Sequence, residues 1–234
     1  MRACNVLVLS VGFLIASRLV STGSPWGLSP YMQLDPYPHD QQRPPIAVPE
    51  GCDKLLSRGC GVTSSTPPLS GELSLITDGV TKCRLQWGWG MQHLEACVTL
   101  SPGLQWVQVD LGEEKEIHAV CIWHCHLEHS NQRAYRAVIC RISSDPDFAD
   151  GAVTVFNNDY ENSAGFGKGK DKEYVESPYG RPFATGAVKG RYVRCYSNGC
   201  FDGGTGNDQS VLPGNHYTEI EVYGRGGKGE KHDQ

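Results

Sequence analysis

The sequence predicts an all-β protein built as a sandwich of antiparallel sheets. Three observations lead there. The chain carries 28 glycines and 14 prolines in 234 residues, a turn-rich composition that suits many short strands better than long helices. Its apolar runs are strand-length and rich in β-branched or aromatic residues, with Gly, Asn, Asp and Pro between them. No segment sustains a helical period.

Four regions follow in order. Residues 1–23 read as an export signal: Arg2 gives a small positive start, Val6–Ala16 an apolar stretch, and Ser21-Thr22-Gly23 a small-residue cleavage site. The apolar stretch is too short for a comfortable membrane span, so no membrane insertion is expected once the signal is removed; the other reading is an uncleaved N-terminal anchor. Residues 24–50 hold Pro25, Pro30, Pro36, Pro38, Pro44, Pro45 and Pro49. Each proline fixes φ and removes a backbone donor, which predicts an extended linker. Residues 51–225 form the expected folded domain, and 226–234 a polar tail.

Within the domain, Leu104–Leu111 alternates Val107, Val109 and Leu111 against Trp106, Gln108 and Asp110, as a strand with one buried face requires. Ile117–Cys125, Tyr135–Ile142, Ala152–Phe156, Arg191–Tyr196 and Thr218–Tyr223 are further strand candidates. Arg191 and Arg194 flank an apolar pair, so an ion pair with a carboxylate such as Asp110 is expected.

The ten cysteines include Cys4 in the signal and nine beyond it. Export implies an oxidising compartment, where most should pair. A hairpin turning at Ser130-Asn131 sets Cys121 opposite Cys140. Cys195 and Cys200 flank a turn, and Cys83 with Cys97 and Cys52 with Cys60 are near in sequence. Cys125 is left over, and an odd thiol stays free, makes contact between chains or binds something. Spacing alone settles none of these pairings.

Four segments in order, Ile76-Thr-Asp-Gly79, Trp106-Val-Gln-Val-Asp-Leu-Gly112, Arg191-Tyr-Val-Arg194 and Thr218-Glu-Ile-Glu-Val-Tyr-Gly224, resemble the discoidin (coagulation factor 5/8 type C) family over roughly residues 70–225. The resemblance implies a galactose-binding-like jelly roll, with loops at one end of the sandwich that bind glycans, lipid head groups or proteins. It implies a non-catalytic module. It also implies a structural Ca²⁺ near Asp78 and Glu219, with carbonyls near Val80 and Cys83 assisting. The position where the family supplies a hydroxyl is Cys83 here. The other reading is an Asx-turn at Asp78 and a surface role for Glu219.

The candidate contact surface comprises His124, His126, Arg133, Asn157, Asn158, Asp159, His216 and Tyr217. His118 and His129 lie in the same histidine-rich stretch. On a strand His124 and His126 share a face about 7 Å apart, spacing that serves either a bound sugar or a Zn²⁺ or Cu²⁺ ion. The run Asn157-Asn158-Asp159 is either a sugar-recognising loop or one capped by its own side chains. Trp87 and Trp89 are either an aromatic platform or core. Cys121–His126 reads C-x-x-x-C-H, one residue longer than the haem attachment motif.

A formal net charge of −5 gives no basic surplus for nucleic acid. There is no G-x-S-x-G or H-E-x-x-H sequence and no protease-like cysteine context. The expected function is a secreted binding module for carbohydrate or a cell-surface ligand. The alternatives are a subunit of an extracytoplasmic assembly and a histidine-liganded metal protein.

Overall fold

The computed structural model describes residues 46–88, 91–126, 133–202 and 214–225. The expected signal, most of the proline arm, the Ser130-Asn131 turn, His129, Trp89 and the tail lie outside the described residues.

Two long strands organise the domain. Strand β6 spans Leu104–His124 and β10 spans Arg181–Asn198. They pair antiparallel along nearly their whole length, from Leu104↔Asn198 to Ile122↔Arg181. The register breaks twice, between Ala184 and Val188 and between Gly190 and Tyr192. The breaks coincide with Gly112 (φ 81°) and Gly186 (φ 71°), and such bulges bend a sheet and reset which face each side chain takes. Each long strand therefore contributes to two layers.

The first layer joins the early half of β6 and the late half of β10 to β2 (Gly61–Ser64), β8 (Ile139–Ser143) and β9 (Val153–Asn157). The second joins their other halves to β12 (Asn215–Arg225), which also pairs with β1 (Lys54–Leu55) and β5 (Val98–Leu100). Every strand pair among the described residues is antiparallel. Two small ribbons lie beside this sheet: β3 (Arg84–Gly88) with β4 (Met91–Glu95), and β7 (Arg133–Tyr135) with β11 (Cys200–Asp202). A 3₁₀ turn, Leu73–Thr77, is the one helical element among the described residues, and among those residues no helix is long and apolar enough to cross a membrane.

The core fills the space between the layers. Val107, Val109, Cys140, Ile142 and Val193 of the first meet Ile117, Val120, Ile122, Phe183, Ile220 and Val222 of the second in one buried cluster. This is the expected antiparallel β-sandwich, with strand faces closed against each other.

The pairing corrects one expectation. Ile117–Ile142 is not a hairpin: Cys121 lies opposite Glu221 and Pro182, whereas Cys140 lies opposite Cys195. Strand β6 satisfies both edges with distant partners, so the next apolar run in sequence joins the sheet two strands away. Cys195 thereby faces Cys140, with sulfurs 3.9 Å apart, and not Cys200, which sits in β11 opposite Tyr135.

Candidate functional site

The candidate site lies at one end of the sandwich, where β6 finishes and β12 begins. His124 is the last residue of β6, and His216 and Tyr217 are the second and third of β12. Tyr217 pairs directly with His124. Between the imidazoles stands Tyr135 of β7, stacked on His124 with ring centroids 4.1 Å apart. Its hydroxyl lies 3.1 Å from His216 Nδ1. His124 Nδ1 lies 2.8 Å from Glu176 Oε1, and both side chains are 0 % exposed. Strand ends and short loops thus gather residues that are distant in sequence.

This cluster is buried, contrary to its expected place on the surface. His124, Arg133, His216 and Tyr217 all lie beneath the surface. Tyr217 is held by Ser197 Oγ at 2.8 Å and the Cys195 carbonyl at 3.3 Å. Three polar atoms, His124 Nε2, His216 Nε2 and Glu176 Oε2, are buried without a hydrogen-bond partner among the described residues. Burial, with the nearby Arg133 and His124 charges, lowers the His216 pKa to about 3, so its imidazole is neutral near pH 7. His126 lies just past the strand end, half-buried.

The Asn157-Asn158-Asp159 run is also buried and shapes its own loop. Asn158 Oδ1 accepts the Val138 N–H at 2.7 Å, and the Asn158 N–H donates to the Val138 carbonyl at 3.1 Å. Asn157 Oδ1 accepts from the Asp159 N–H at 2.8 Å, and its Nδ2 donates to the Gly167 carbonyl at 3.1 Å. Asp159 accepts from Ser163 Oγ at 3.1 Å and the Ala164 N–H at 2.8 Å. Of the two readings of this run, the self-capped loop is the one found. The three side chains do not join the histidine cluster.

Sequence reasoning missed a group of thiols beside the histidines. Cys83 precedes β3, Cys97 precedes β5 and Cys125 follows β6. Their sulfurs lie within 4.8 Å of one another, with Cys125 and Cys83 2.7 Å apart. Arg133 Nη1 points at the Cys125 sulfur from 3.5 Å. Hydrogen bonds from Cys125 and Cys97 lower the Cys83 pKa to about 4, while its bond to Cys83 raises that of Cys125 to about 12. The expected neighbours Cys83 and Cys97 do meet, but Cys125 joins them. Full burial removes Cys125 from any bridge between chains. Cys52 and Cys60 are both free thiols.

The proposed calcium pair sits elsewhere, where the turn after the 3₁₀ element meets β12. Glu219 Oε2 accepts the Gly79 N–H at 2.9 Å, and Asp78 Oδ1 accepts the Val80 N–H at 2.7 Å, an Asx-turn. Glu219 is fully buried, not a surface group, and its Oε1 has no hydrogen-bond partner among the described residues. Burial raises its pKa to about 8, and the Asp78 charge adds to the rise. A buried carboxylate oxygen without a donor suits a hard cation.

No family model matches the chain, and no curated protein matches it. Solved structures do. A chitosan-binding module from a chitosanase/glucanase of Paenibacillus sp. IK-5 is 18% identical, covers 73% of this chain and 99% of its own, and superposes with a TM-score of 0.44. The CBM32 of AlyQ, in complex with 4,5-unsaturated mannuronic acid, is 17% identical, covers 69% and 92%, and has a TM-score of 0.43. CpGH89CBM32-5 from Clostridium perfringens, in complex with GalNAc-beta-1,3-galactose, is 12% identical, covers 73% and 99%, and has a TM-score of 0.45.

Proposed function

We propose that this chain is an exported, non-catalytic binding module for carbohydrate or another hydroxyl-rich cell-surface ligand. Recognition takes place at the end of the sandwich where His124 and His216 lie. The observation that carries this reading is the set of buried atoms there that have no hydrogen-bond partner among the described residues: His124 Nε2, His216 Nε2 and Glu176 Oε2. Buried polar groups are nearly always paired, so unpartnered polar atoms beneath the strand ends support a polar ligand at this end of the sandwich. Tyr135 and Tyr217, buried against His124, hold its imidazole in place. The neutral His216 imidazole both donates and accepts.

In this reading Asp78 and Glu219 hold Ca²⁺ in a structural role, with no part in ligand contact. The discoidin resemblance and the four-region organisation with an export signal belong to the same proposal.

A glycan array and a pull-down on cell-wall polysaccharide test it, using full-length protein. Binding above background is expected. His124→Asn and His216→Asn variants with unchanged circular dichroism should lose it. Folded wild-type protein that binds no glycan defeats the carbohydrate reading.

A further inference from the structure

We propose that Cys83, Cys97 and Cys125 form a three-thiolate site for a soft d¹⁰ cation, Cu⁺ in preference to Zn²⁺. The site uses the Cys83 sulfur and no carboxylate of the Asp78 and Glu219 pair, and it does not depend on the glycan reading.

Three elements are brought together to build it. Cys97 follows Ala96, whose φ of 54° lies in the left-handed region, so the chain turns sharply into β5 at the thiol. Cys125 is the residue after β6, and its N–H donates to the His216 carbonyl at 3.3 Å. Cys83 ends the irregular stretch between the 3₁₀ turn and β3. The three sulfurs form a small buried cluster of their own, apart from the main core.

The spacing fits an ion. Thiolates about 2.3 Å from a shared metal lie roughly 4 Å from one another, inside the 4.8 Å that encloses these sulfurs. The Cys83–Cys125 separation of 2.7 Å must open by about 1.3 Å to reach that geometry. Cys83, outside any strand, can supply this movement. No fourth His, Cys or carboxylate joins the group among the described residues. Closed zinc sites take four donors, whereas soft thiolates also select Cu⁺, which favours copper.

The charge agrees. Binding releases the thiol protons to solvent and leaves a complex of net negative charge, which Arg133 faces from 3.5 Å at Cys125. A buried anion needs such a partner.

The test uses the full chain purified anaerobically under reductant. Cu⁺ is offered against a bicinchoninate competitor, and Zn²⁺ in a separate arm. One Cu⁺ per chain is expected, with X-ray absorption showing three sulfur neighbours. Cys83→Ser, a half-buried position, should weaken binding at least about tenfold. Cys60→Ser, outside the cluster, should not change it. Three results would each overturn the proposal: no copper retained, retention indifferent to Cys83→Ser, or loading by Zn²⁺ alone, which requires a four-donor set. Isolated protein whose mass and peptide map show a Cys83–Cys125 disulfide, and which takes no metal after reduction, would also overturn it.

Discussion

Asp110 and Arg191 are locked together by two hydrogen bonds, Nε to Oδ1 at 2.6 Å and Nη2 to Oδ2 at 2.8 Å. The pair sits where β6 and β10 pass from one layer to the other. The Arg191 guanidinium holds the Asp110 carboxyl below its usual pKa. The unfolded chain has no such partner, so the pair contributes stability above the ordinary carboxylate pKa. That contribution disappears as pH falls through the lowered folded value. Arg191→Ala should therefore move the acid-unfolding midpoint to higher pH, followed by tryptophan fluorescence. Arg191→Lys should restore little, since an ammonium cannot reproduce the fork. An unmoved midpoint in Arg191→Ala would contradict this role.

His216 predicts a second pH effect. Its folded pKa is about 3, against an ordinary value of 6.5. Between those values the unfolded chain binds a proton that the folded chain does not, so stability is lost as pH falls from about 6.5 towards 3. His216→Asn should flatten that part of the stability profile in urea titrations run at a series of pH values. A wild-type slope in the variant would argue that His216 is not buried as described.

Glu219 works in the opposite direction. Its folded pKa is about 8, against 4.5 ordinarily. As pH rises through this window the unfolded chain ionises while the folded carboxyl keeps its proton, so stability falls and then levels above about 8. Ca²⁺ needs the ionised form. Added Ca²⁺ should raise the melting temperature more at pH 8 than at pH 5, and Glu219→Gln should remove both the slope and the calcium gain. A calcium effect that survives the substitution would place the ion elsewhere.

Removing Glu176 should leave His124 Nδ1 without its buried partner. The cost expected for Glu176→Ala is about 1–3 kcal/mol, read from chemical denaturation. A change near zero would mean that water replaces the carboxylate.

Gly180 lies against the face of Trp123. A Cβ there would fall 2.5 Å from the indole, at a φ of 70°. Gly180→Ala should destabilise the fold by about 1–3 kcal/mol and alter the tryptophan emission. An unchanged spectrum and stability would show that the loop shifts freely.

The strand centres were legible because they follow from local pattern, and the charge pair because a strand arginine calls for a carboxylate, although Asp110 and Arg191 are 81 residues apart. Alternation at Val107, Val109 and Leu111 marks a buried face wherever the strand pairs. The ends of β6 and β10 were not legible, because their bulges depend on partners far away in sequence. The same limit explains Cys121. Its alternation is a strand's, but its neighbour is chosen by the whole topology. The histidines were noticed by type and crowding, and His124, His216 and Tyr217 do converge. Their burial depends on Tyr135 and Glu176, which stand in segments with no distinguishing motif. Cys125 looked spare because pairing by sequence proximity ignores a strand that delivers the residue after it to the far end of the sheet.

The position of β1 has a mechanical consequence. Lys54 pairs with Gly224, so the backbone enters and leaves the folded unit side by side. His216 lies eight residues earlier on the same strand, about 27 Å away at the usual rise. Any tether on either flank therefore pulls on the base of the unit. The imidazole end points away from the anchor, like the tip of a short post.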